Sequence, residues 1–90
     1  MTVALMWEAR AVPGRGEELL AWARAQELAV RPLRRETLRA AQDRVLVITW
    51  WDADFEDDLP ELPEPDGELV ARAVHRWRFE SVAVESPGVK

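Results

Sequence analysis

The chain has 90 residues, enough for one small domain and too few for two independent cores. Seventeen acids against twelve bases leave a formal charge of −5, which argues against a nucleic-acid backbone or an anionic membrane as the main partner. There is no cysteine, so disulfides, thiol nucleophiles and cysteine-built zinc sites are excluded.

Residues 3–12, VALMWEARAV, alternate with a period of two. Val3, Leu5, Trp7, Ala9 and Ala11 form an apolar set opposed by the more polar Glu8 and Arg10, which predicts a half-buried strand. Pro13-Gly14 ends it. Gly16 reads as an N-cap, with Glu17 and Glu18 in the first helical turn, where the dipole favours anions. Leu19, Trp22, Ala23 and Gln26 then share a helical stripe. Pro32 disfavours helical geometry at Arg31, so the helix should stop by about Ala29 or Val30.

Residues 33–41 alternate and precede a short turn at Gln42-Asp43, so they read as the hairpin partner of 44–52, RVLVITWWD. Val, Ile, Thr and Trp make that second segment the clearest strand of the chain. Residues 52–66 carry eight acids, no base and three prolines, and predict an acidic loop with one turn at 54–58, pinned by Phe55, Leu59 and Leu62. Without this segment the chain holds nine acids and twelve bases, so the body is mildly basic. Asp52, Asp54 and Glu56 have the first three spacings of a calcium loop. Asp57 stands where that loop needs glycine and Pro63 where it needs glutamate, so no metal is assigned. The acids are free instead to lie near Arg31, Arg34, Arg35 and Arg39 of the same or a partner chain.

Asp66 suits the cap of a short helix at 67–72, and 74–84 alternate as a last strand, with a frayed tail at 85–90. The order βαββαβ predicts an α+β, ferredoxin-like domain over residues 1–90, a four-stranded antiparallel sheet with both helices on one face. The first and third strands should lie in the middle and the last beside the first. Val3, Leu5, Trp7 and Ala9 would then join Trp77 and Phe79 under the helices. Glu8 and Arg10 would join Arg76, Arg78 and Glu80 on the open face.

The strand VALMWEARAV followed by PGRGEELLAWA, the hairpin ending VLVITWW and the late WRFESVAV together resemble the dimeric α/β-barrel superfamily, in particular its small antibiotic-biosynthesis-monooxygenase-like domains. That resemblance implies a homodimer formed by packing two open sheet faces, which also completes the core of a 90-residue chain. Superfamily members include cofactor-free quinone-forming monooxygenases that use Asn, Trp and Tyr, and heme-degrading enzymes that use Asn, Trp and His. This chain has neither Asn nor Tyr, so neither catalytic set is carried over.

Five tryptophans in 90 residues predict an aromatic cavity suited to a flat ligand, or a core filled by large side chains. The candidate ligand-binding residues are Trp7, Trp22, Trp51, His75 and Trp77, with Trp50 and Trp51 on opposite faces. His75 is the one histidine, too few for a zinc site, though one imidazole suffices to hold heme. No nucleophile elbow or phosphate loop is present. The longest apolar runs are too short to span a bilayer, and no secretory-signal pattern opens the chain, so a cytoplasmic protein is expected. The expected function is a homodimeric domain that binds a small apolar or aromatic molecule, or a partner, without catalysis and without a cofactor. The alternative is a monooxygenase-like enzyme, cofactor-free or heme-linked.

Overall fold

The computed structural model describes residues 1–87, so part of the tail expected at 85–90 lies outside the described residues. Strand β1 spans Thr2–Arg10, helix α1 Gly16–Ala25, β2 Arg34–Ala40, β3 Arg44–Asp52 and β4 His75–Glu80. The strands form one antiparallel sheet in the order β2-β3-β1-β4. This places β1 and β3 in the middle and β4 beside β1, the order expected of a ferredoxin-like sheet. The fold is a small α+β domain with an open four-stranded sheet and one helix.

The β2–β3 hairpin turns through Gln42 and Asp43, both left-handed at φ 63° and 59°. Asp tolerates that conformation, because its short side chain bonds locally. The Asp43 carboxylate accepts the Gly14 N–H at 3.0 Å, and the Asp43 carbonyl accepts the Ala11 N–H at 2.8 Å. The hairpin tip is thereby tied to the chain entering α1. The cap of that helix is Arg15 rather than Gly16, which is its first helical residue. Arg15 grips Glu18 through two nitrogens, at 3.0 and 2.6 Å. That hydrogen bond holds the Glu18 carboxyl below its ordinary range.

The helix stops at Ala25, well short of the expected Ala29 or Val30. Gln26 turns to extended geometry, ψ 129°. The Arg35 guanidinium, reaching over from β2, donates to the carbonyls of Ala23 and Gln26, each at 2.7 Å. A cation at a helix C-terminus meets the negative end of the dipole, and here it satisfies the Gln26 carbonyl and shares the Ala23 carbonyl with the Gln26 N–H, 3.2 Å away.

Leu19 and Ala23 are fully buried, and α1 packs on β3 and β2. The other half of that sheet face is covered by the segment between β3 and β4. Leu62 and Leu69 from this segment join Trp7, Val45 and Val47 in the main core, and Leu59 packs near Val3, Leu5 and Trp51. The loop expected at 52–66 is present with its turn, where the Asp57 N–H donates to the Asp54 carbonyl at 3.0 Å. Phe55 does not pin it, being 40% exposed. The helix expected at 67–72 is absent. Asp66 does cap a turn, accepting the Glu68 N–H at 3.1 Å. Backbone bonds then go to the end of β1 instead: Val12 N–H to the Leu69 carbonyl at 2.9 Å and Ala71 N–H to the Arg10 carbonyl at 2.8 Å. Nucleating so short a helix costs more than its few bonds return, and a strand end was free to supply them.

β4 ends at Glu80, earlier than the expected 84, and its faces are the reverse of those expected. Leu5 pairs with Arg78 and Trp7 with Arg76, whereas Ala4 pairs with Phe79, Met6 with Trp77 and Glu8 with His75. Directly paired residues share a face. Arg76 and Arg78 therefore lie on the covered face, and Trp77 and Phe79 on the open one. The cause is the acidic segment. Arg76 reaches Glu61 at 3.2 Å, and Arg78 donates to the carbonyls of Phe55 and Asp57 at 2.6 and 2.7 Å. Within the chain, Arg76 pairs with the acids Glu61 and Glu64 and Arg78 holds the segment's backbone, whereas Arg31, Arg34, Arg35 and Arg39 pair with none of these acids among the described residues. Arginine stems lie along apolar surface while their heads stay polar, so two of them suit the rim of a core.

A candidate binding face

The five tryptophans divide between the two sides of the sheet. On the covered side Trp7 stacks on Trp22 with ring centroids 5.9 Å apart and planes 21° apart. Trp51 is buried there too, its indole N–H donating to the Thr49 hydroxyl at 2.8 Å. The Trp7 indole N–H is buried without a hydrogen-bond partner among the described residues. Beside it a space of about 10 Å³ is lined by Leu5, Trp7, Val47, Thr49, Glu61 and Leu62. That is room for about one water. The tryptophans on this side fill a core, and the flat-ligand cavity expected from them is not formed there.

His75 and Trp77 lie on the opposite side, so the five candidate residues do not converge on one site. Trp77 and Phe79 are 45% and 47% exposed. Across the sheet they continue into Met6 and Ala4 on β1, Ile48 and Trp50 on β3, and Leu38 on β2, all half-buried and, among the described residues, outside both core clusters. Trp50 carries the Arg34 guanidinium at 5.0 Å from its ring centroid, and Arg34 also pairs with Glu36 at 2.9 Å. This cation sits at the edge of the apolar band, as its hydration requires.

The other side of the band is bounded by Glu8. Its carboxylate takes the Arg72 Nη2 at 2.7 and 2.9 Å, and His75 Nδ1 lies 3.6 Å away. His75 meets the Trp77 ring edge-on, centroids 5.4 Å apart. Glu8 is only 8% exposed although it lies on the open side, because Arg72 and His75 cover it. The face is thus a band of aromatic and aliphatic side chains with charge at both margins. Among the described residues no group of three His, Asp or Glu side chains is placed to hold a metal ion.

Sequence reasoning named Trp77 as a site residue and missed Met6, Ile48 and Phe79 as its companions. The signal was present in the alternation of β1, since Ala4 and Met6 are apolar yet alternate with the buried Val3, Leu5 and Trp7. Reading it required the β1–β4 register.

The molecule is flat. Its principal extents are 43 × 36 × 19 Å. The Cα radius of gyration is 14.4 Å, against about 12 Å for a close-packed chain of this length. The accessible surface is 6233 Å², about 900 Å² above the scaling for a folded monomer of this mass. No family model matches the chain, and neither does any curated protein or solved structure compared with it. Among the described residues no helix is long and apolar enough to cross a membrane.

Proposed function

We propose that this chain is a ferredoxin-like binding domain that works as a homodimer, two copies packing by their open sheet faces, with a binding role rather than a catalytic one. The observation that carries the reading is the exposure of Trp77 and Phe79 at the head of a continuous apolar band. Large contiguous apolar patches on a protein surface mark interaction sites. A second copy supplies what the covered side already has, a layer that removes these rings from water. A small apolar or aromatic ligand, if the dimer takes one, belongs between the two faces rather than beside Trp7.

The monooxygenase-like reading has less support. His75, the one imidazole, stands on the other side of the sheet from Trp7 and Trp22, with its Nδ1 towards Glu8.

Sedimentation at micromolar concentration tests the proposal. The chain should run at twice its 10.3 kDa mass. Trp77→Asp should shift it to monomer, because a central aromatic of this kind is worth about 2 kcal/mol or more and a buried unpaired charge adds to the loss. The same variant should keep its far-ultraviolet circular dichroism, since Trp77 takes no part in either buried core cluster. A wild-type monomer across that range refutes the reading.

A further inference from the structure

Two indoles are buried on the covered side of the sheet, and they are served differently. The Trp51 N–H donates to the Thr49 hydroxyl at 2.8 Å. Trp7 is 4% exposed, and its N–H has no hydrogen-bond partner among the described residues. A buried donor left unpaired costs its full desolvation, so nearly all such groups in folded proteins meet either a protein acceptor or an ordered water.

The space beside Trp7 lies between the two central strands and the acidic segment. Leu5, Val47 and Leu62 give it apolar walls, and Trp7, Thr49 and Glu61 give it polar groups. Glu61 is held there because its ion-pair partner, Arg76, stands opposite Trp7 in the sheet register. The volume of about 10 Å³ is close to the least that holds one water and far too small for a flat ligand. The three polar groups also have complementary roles. An indole N–H can only donate, and a carboxylate can only accept. The Thr49 hydroxyl oxygen accepts from Trp51 and keeps its own proton to give. One Glu61 oxygen takes Arg76 at 3.2 Å, and the other has no partner among the described residues. An anion here would meet the Glu61 carboxylate, and a cation would meet the Trp7 donor, so the occupant is neutral.

We infer that this space is a binding site for one ordered water molecule. The water accepts the Trp7 N–H and the Thr49 O–H and donates to the Glu61 carboxylate, the three bonds typical of a buried water. It joins β1 and β3 to the acidic segment that covers them. The site lies on the covered side and does not depend on what meets the open face.

Nuclear and rotating-frame Overhauser spectra of the isotope-labelled full chain test this at the Trp7 Hε1 proton. The expected result is a cross-peak at the water frequency with opposite signs in the two spectra, the mark of a long-held water. Exchange of the proton itself gives the same sign in both. Val47→Ile adds the volume of a methylene to the wall and should abolish the peak, with the fold checked by circular dichroism. A wild-type spectrum without the peak, or with the exchange sign alone, overturns the inference. Survival of the peak in folded Val47→Ile overturns it too, because the Thr49 hydroxyl proton or a water elsewhere would then be its source.

Discussion

Gly16 is small for a reason that its neighbours supply. A Cβ there would stand 2.6 Å from the Asp43 Oδ1 and 3.1 Å from the Asp43 Cα. The same carboxylate holds the Gly14 N–H, so it cannot turn aside without losing that bond. Alanine is the better helix former by up to ~1 kcal/mol, and the contact outweighs it. Gly16→Ala should lower stability by about 1–2 kcal/mol, read from the urea midpoint. Asp43→Gly in the same background should recover part of the loss, since it removes the carboxylate and suits the left-handed backbone. A midpoint that rises in Gly16→Ala contradicts the role given to Asp43. The composition showed a glycine after Pro-Gly and suggested a cap. Only the hairpin tip, 27 positions further along the chain, explains it.

At the scale of elements, helix α1 is ended by a strand. Its own sequence continues with good helix formers, and Ala29 is within reach. The Arg35 guanidinium bonds to the Ala23 and Gln26 carbonyls make the early stop the better state. Hydrogen bonds to a charged donor contribute about 1.5–3 kcal/mol when partly buried. Arg35→Ala should therefore cost about 2 kcal/mol by chemical denaturation. Arg35→Lys should restore less than half, because an ammonium lacks the planar fork that reaches two carbonyls. Equal stability of Lys and Arg at this position would show that charge alone matters. Strand β4 teaches the same lesson in another form. Alternation in HRWRFE states that Trp77 and Phe79 oppose Arg76 and Arg78, and nothing in a period of two states which set faces inward. The acidic segment decided it by taking the arginines.

For the whole molecule, the proposed homodimer through the open sheet face would link stability to association. A partner that binds only the folded chain raises its melting temperature by mass action. Heating at protein concentrations spread over two decades should raise the wild-type midpoint with concentration. Trp77→Asp should melt at one temperature throughout. A wild-type midpoint independent of concentration would mean that unfolding does not pass through dissociation, and the proposed homodimer would fail at this test. The single helix sharpens the point. An irregular proline-bearing segment takes the place expected of a second helix, so the covered layer is thin, and a second copy adds more to this domain than to one with both helices.

The hairpin, the acidic loop and the buried set of Val3, Leu5, Trp7 and Ala9 were all legible in the chain, because hydrophobic period and turn chemistry are local properties, and the strand order followed from matching the element order to a ferredoxin-like sheet. Local patterns also marked Trp77 and His75 as unusual. Where the helix stops, why 67–72 pairs with β1, and which face of β4 looks outward all depended on partners far away in sequence: Arg35, Arg10 and Glu61. Charges and backbone donors are satisfied by whatever the fold brings near, so their choice is settled only when the layers have met.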